Sequence, residues 1–218
     1  MSDNPLVSTD GNAFNVLRRF ARRAPARDEE HCDLCGEAIG PDHRHLLDLA
    51  ARQVHCACRA CALLLDTPSA GGGARRLIPT RILCLADFEM ADEQWDNLQI
   101  PVNMTFFCYN TGAQRMMAFY PSPMGPTESL LPLSAWDELA SANPILRQME
   151  PDVEALLINR GQDGRDYYLV PIDECYKLVG LIRMHWSGIS GGSEVRQEID
   201  RFFTTLKERA VVVGGVHA

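Results

Sequence analysis

Cys32-Asp33-Leu34-Cys35-Gly36 and Cys56-Ala57-Cys58-Arg59-Ala60-Cys61 decide how the first third of this 218-residue chain folds. Each stretch holds a Cys-x-x-Cys pair. Two intervening residues let one tight turn aim both sulfurs at a single point, and two such turns supply the four soft thiolates that zinc or a single iron takes in tetrahedral geometry. The 22 residues between the pairs, 36 to 57, slightly exceed the spacing of about 15–20 usual for a four-cysteine zinc motif; a longer hairpin or helix accommodates the difference. Gly36 strengthens the first turn, because glycine tolerates positive φ and leaves its N–H free to address a sulfur. Ala62 follows the second pair, so that turn is less typical.

The spacing selects Cys32, Cys35, Cys58 and Cys61 as ligands of one metal and predicts a zinc-ribbon or rubredoxin-like region. Cys56 is an alternate ligand, since three thiols compete for two positions, and His31, His43, His45 and His55 lie in the same segment. Zinc is the expected ion. A rubredoxin-type iron is the alternative, and an iron-sulfur cluster becomes a third option if Cys56 or Cys84 joins. A redox iron favours two turns built alike, and the second lacks its glycine. Four protein ligands close a site, which suits structure and leaves no position for catalysis.

Composition, 46% apolar and 23% charged, describes an ordinary globular chain able to bury a sizeable core. A net charge of -8 and a pI near 5.2 argue against a general nucleic-acid binder. Metal-type spacing among the eight cysteines fits a reducing compartment, and no apolar run approaches the roughly 18 residues that span a bilayer. Arg18, Arg19, Arg22, Arg23 and Arg27 are followed by Asp28, Glu29 and Glu30 rather than by a hydrophobic stretch. Neither an export signal nor an anchor is expected, and the location expected is cytoplasmic.

Four regions are expected: an arm with a short basic helix (1–30), the four-cysteine ribbon (31–66), a Gly-rich linker (67–78) and an α+β domain (79–218). Within the ribbon, residues 44–49 and 52–54 read as a hairpin, and Ala62–Leu65 as the start of a short helix or strand. Beyond the linker, strands are expected at 82–85, 103–109, 114–120, 153–159 and 167–170. Helices are expected at 89–98, from Ser134, at 172–186 and at 193–209, the last with Val195, Ile199, Phe202, Phe203 and Leu206 on one face. Residues 121–126, with three prolines, read as a rigid irregular loop. Runs of paired strands and helices in this order imply a mixed, largely antiparallel sheet.

No catalytic signature emerges. Cys175 and His185 lie ten residues apart on one helix, about 15 Å, and cannot touch. Cys175 shares the apolar stripe of Leu178, Val179 and Ile182, which reads as packing. Asp87, Glu89, Asp92, Glu93 and Asp96 read as a solvated acidic helix, and the triglycine at 71–73 lacks the Lys-Ser/Thr of a phosphate loop.

Beyond about residue 30 the chain resembles an uncharacterised bacterial family. The likeness is carried by Cys32-Asp-Leu-Cys35-Gly36, His45-Leu-Leu-Asp-Leu49, the segment from Cys56 to Leu64, Tyr120-Pro-Ser-Pro123 with Thr127-Glu-Ser129, Pro151-Asp-Val-Glu-Ala-Leu-Leu157 with Asn159-Arg160, and Val170-Pro-Ile-Asp-Glu-Cys-Tyr176. That family is encoded with nickel-iron uptake hydrogenases of the actinobacterial, oxygen-tolerant type. The resemblance implies an accessory role in hydrogenase assembly or electron flow, with a hydrogenase subunit or maturation factor as partner. It supplies no catalytic residues.

Overall fold

Residues 43–57 alternate in environment, and the alternation builds the smaller of two sheets. β1 (Arg44–Asp48) and β2 (Gln53–Ala57) form the antiparallel hairpin expected between the cysteine pairs, with His45 opposite Cys56 and Leu47 opposite Val54. β3 (Arg75–Leu77) pairs with the other edge of β1, giving the order β2-β1-β3. The computed structural model describes residues 29–67, 73–129, 133–161, 164–188 and 191–214. The basic helix expected around Phe14–Ala21 and residues 68–72 of the Gly-rich stretch lie outside them, and the last residues of that stretch form β3.

Side chains on a strand point alternately to opposite faces. Leu46 and Ala57 therefore turn to one side, where they pack with Cys32, Ala62 and Leu77. Leu47 and Val54 turn to the other and join the core of the larger sheet. α1 (Arg59–Leu65) follows β2 directly, with Cys58 at its N-cap accepting the Cys61 N–H at 3.4 Å. The second cysteine pair thus opens a helix, where a zinc ribbon calls for a second hairpin turn.

The larger sheet comprises β4 (Leu83–Leu85), β5 (Met104–Asn110), β6 (Arg115–Ser122), β7 (Gly125–Ser129), β8 (Glu154–Asn159), β9 (Asp166–Pro171) and β10 (Val211–Val213). Their order is β10-β4-β9-β8-β5-β6-β7, antiparallel throughout except for the parallel β10–β4 pair. The α+β expectation holds. Phe106, Leu157, Tyr168 and Val170 face α4 (Ile172–His185) and α5 (Gly192–Arg209), whose Leu178, Ile182, Phe203 and Leu206 cover them. Phe107, Leu156, Ile158 and Leu169 face the opposite way, toward Trp95 of α2 (Asp92–Asn97), Leu139 of α3 (Leu133–Ala142) and Leu146 of a 3-10 turn (Pro144–Gln148). Burial on both faces explains the unbroken apolar runs of β8 and β9.

The Pro-rich stretch at 121–126 departs from the loop expected of it. β6 runs through Pro121 to Ser122 and β7 begins at Gly125, so the two form a hairpin with Pro123 and Met124 at its tip. Pro121 lies opposite Pro126, a pairing that asks neither residue for an N–H. Gly125 carries the positive φ, +122°, that the tight return needs.

Residues 148–154 grip the small sheet and its exit. Arg52 at the β1–β2 turn donates to Asp152 Oδ1 at 2.8 Å, and Thr111 adds its N–H at 3.0 Å and its hydroxyl at 2.6 Å to the same carboxylate. Arg76 donates to the Pro151 carbonyl at 2.6 Å. Arg81 holds the fully buried Glu154 with two bonds of 2.6 and 2.7 Å. Asp152 is only 1% exposed, so losing its arginine leaves a carboxylate in the interior with two Thr111 donors alone. Arg52→Ala, which keeps a Cβ at this positive-φ position (54°), is expected to cost about 3–5 kcal/mol in urea unfolding. An unchanged midpoint and slope would show that the ion pair is dispensable.

Candidate metal centre

The first cysteine turn is a closed loop. Cys32 N–H bonds the Glu37 carbonyl at 2.8 Å and Gly36 N–H bonds the Cys32 carbonyl at 2.8 Å. Gly36 has the positive φ anticipated for it, +76°, but its N–H serves that turn bond instead of standing free for a sulfur. Asp33 then fastens the loop to β2: its N–H reaches the Cys56 carbonyl at 2.9 Å, and its carboxylate accepts the Cys56 N–H at 2.7 Å. Nothing in the Cys-x-x-Cys spacing marks Asp33 for this role.

The second pair arrives from the end of β2 and the first turn of α1. The sulfurs of Cys32, Cys35, Cys58 and Cys61 all lie within 4.8 Å of one another, with Cys35 and Cys58 3.7 Å apart. Tetrahedral zinc with Zn–S bonds of about 2.3 Å places its sulfurs roughly 3.8 Å apart. The cluster therefore has the size of a four-thiolate cation site, and none of its members is in a disulfide. Cys32 is buried, Cys58 and Cys61 are half-buried and Cys35 is exposed.

The thiols respond to one another. Burial raises Cys32, but backbone N–H groups of Cys58, Leu34 and Cys35, aided by the Cys35 thiol, outweigh it and bring the group down to about 6. Cys61 is pushed up to about 12 by the Cys35 thiol foremost, then by burial and by Cys58 and Cys32. Cys35 is also raised: the Glu37 backbone lowers it, and the neighbouring Cys32 and Cys58 thiols together with desolvation prevail. Cys32 is thus the readiest of the three to ionise, and its proximity raises Cys35 and Cys61. A divalent cation among the four sulfurs would displace the thiol protons, which couples binding to proton release.

The remaining cysteines and histidines are elsewhere. Cys56 is not in the four-sulfur group; it faces the opposite side of the small sheet with His43 and His45. His55 lies 3.8 Å from Asp33, and His31 forms an isolated bridge with Ala38. Cys84 is on β4 of the large sheet, apart from the four sulfurs, so a cluster recruiting Cys56 or Cys84 finds no support in this arrangement. Burial pushes the Cys108 thiol to about 11 and the fully enclosed Cys175 well above its ordinary range. His185 pairs with Glu194 at 2.9 Å. In the acidic helix, Asp92 is held low by hydrogen bonds from Arg160 and Arg165 and belongs to that ion pair.

Residues 31–210 match the family of unknown function DUF5947, a span that takes in both cysteine pairs and the large sheet. The chain belongs to DUF5947. No curated protein and no solved structure matches it. Among the described residues of this DUF5947 chain, no helix is long and apolar enough to cross a membrane.

Cys58 supplies one of the four converging sulfurs, and a serine in its place keeps an oxygen able to cap α1, whereas Cys175 fills the core. Cys58→Ser is expected to lower metal content by about one ion per chain and to raise amide exchange across 31–39 and 59–65. Cys175→Ser should change neither. Equal metal loading of wild type and Cys58→Ser, read by elemental mass spectrometry, would exclude Cys58 as a ligand.

Proposed function

We propose that this protein is a non-catalytic accessory factor in which zinc, held by Cys32, Cys35, Cys58 and Cys61, pins residues 31–66 so that the folded chain can dock on a protein partner. The observation that carries the metal is the convergence of four free thiols within 4.8 Å. Zinc is favoured by the closed ligand set and by the second pair opening a helix, an arrangement that serves folding. The cation would compensate for a small local core: beneath it, among the described residues, only Cys32, Leu46, Ala57 and Ala62 are buried.

The partner class rests on the resemblance to proteins encoded with nickel-iron uptake hydrogenases, and we take it to be a hydrogenase subunit or maturation factor. Leu63 and Leu64, 60% and 59% exposed on α1 beside the cysteines, give such a partner an apolar foothold. A cytoplasmic site of action fits the many free thiols.

A second reading, a rubredoxin-like iron carrier or a protector of iron-sulfur clusters for the same hydrogenase, is favoured by the backbone donors around Cys32 and by the Cys61 N–H on the Cys58 sulfur. Such bonds tune a redox iron. The readings separate on untagged protein purified without oxygen. The expected outcome is a colourless, zinc-bearing protein that co-purifies with a hydrogenase subunit and loses it in Cys58→Ser. A red, iron-bearing protein that bleaches with dithionite would replace the first reading by the second, and salt-sensitive binding to DNA would overturn both.

A further inference from the structure

We propose that His43, His45 and Cys56 form a second metal site, on the opposite face of the small sheet from the four cysteines, for a divalent transition ion of the zinc class. The ligand atoms of these three residues lie within 4.8 Å of one another. Cys56 sits opposite His45 across the β1–β2 ladder. Its N–H and carbonyl both point away from β1, to Asp33, which makes the His45–Cys56 pair a non-hydrogen-bonded one, the kind whose side chains stand closest. The alternation that sends Ala57 toward the four-cysteine side sends Cys56 away from it.

The protons of the two imidazoles carry the argument. His43 Nδ1 lies 2.9 Å from the Gly40 carbonyl, and His45 Nδ1 lies 2.7 Å from the Asp173 carboxylate. A carbonyl and a carboxylate only accept, so each Nδ1 carries the hydrogen and each Nε2 of a neutral ring presents a lone pair. The two Nε2 atoms are 3.0 Å apart. Two lone pairs at that distance repel unless a proton or a cation lies between them. Metal–nitrogen bonds of about 2.0–2.1 Å at angles of 90–110° put two imidazole nitrogens roughly 2.9–3.4 Å apart, which matches.

Both rings also have the outer partners that metal-bound histidines use to fix tautomer and orientation. Asp173, in the first turn of α4, keeps its second oxygen buried without a partner among the described residues, which adds negative potential at His45. Two imidazoles and a thiolate are borderline-to-soft donors suited to zinc, copper, nickel or iron rather than to magnesium or calcium. Three protein ligands leave a fourth position open. This site is independent of the hydrogenase reading and separate in ligands from the four cysteines.

The test is titration of the full chain, stripped of metal under reducing conditions, with Co2+, followed by visible absorption and native mass spectrometry. Wild type should take two Co2+ per chain. His43→Gln and Cys56→Ala should each take one and retain the four-thiolate absorption, which reports that the fold survives. Asp173→Asn, a positioning change, should weaken the second ion about 10- to 100-fold while leaving the first unaffected. Should Cys56→Ala lose both ions through misfolding, His43→Gln decides. Saturation of wild type at one ion would mean that a shared proton joins the two rings, and uptake of two ions by both His43→Gln and Cys56→Ala would place the second ion elsewhere. Either result overturns the proposal.

Discussion

The period-two geometry of β1 and β2 is the constraint on which the rest depends. One hairpin serves as a wall between two interiors, and a shift of one residue would exchange every side chain across it. Leu46 closes the small core under the cysteines, while Leu47 closes the main core beneath α4 and α5. The same parity places Cys56, while the end of the strand frees Cys58 from it. Cys56 goes to the side of His43 and His45, and Cys58, beyond the end of the strand, goes to the four-sulfur cluster. Register is also pinned from outside the hairpin, because Asp33 bonds both backbone groups of Cys56.

A wall shared by two interiors must be held against both, and the polar contacts show how. Three arginines, Arg52, Arg76 and Arg81, reach the single segment 148–154. Their contributions differ with burial. Arg76 with Glu150 is an exposed pair at 3.4 Å and adds little, whereas Asp152 and Glu154 are enclosed and have no water to fall back on. Those two carboxylates therefore act less as a source of net stability than as a specification: any other placement of the hairpin strands a buried charge. His45 and Asp173 make a third link of this kind, joining β1 to the start of α4 across 128 residues.

Local pattern made much of this architecture legible. β5, β8 and β9 announce themselves as apolar runs, α5 as an amphipathic stripe, and the hairpin of the small sheet as two short strands between cysteine turns. What escaped sequence reasoning was set by partners distant in the chain. Pro121 and Pro126 look like loop punctuation until their pairing across a hairpin shows that neither is asked for an N–H. β10 is three valines that make a strand only because β4 offers an edge. The helical start of the second cysteine pair was within reach, since Ala62–Leu65 already read as helix or strand. His43 and His45 carried an available signal, two residues apart where β1 begins and hence able to share a face, but Asp173 could not be read beside them.

Placement of Cys56 and Cys58 two residues apart, on opposite sides of one strand end, has a mechanical consequence. Ordering the four sulfurs fixes the end of β2 from one side, through Cys58 and the first turn of α1. Asp33 transmits that order back to Cys56, because the loop that carries Cys32 and Cys35 is the loop that bonds the Cys56 backbone. A cation among the four cysteines would thus preorganise the face on which Cys56 and the two histidines meet. With that cation bound, order would run from the cysteine cluster through one strand to the histidine face, and from there through Asp173 into the helix that covers the large sheet.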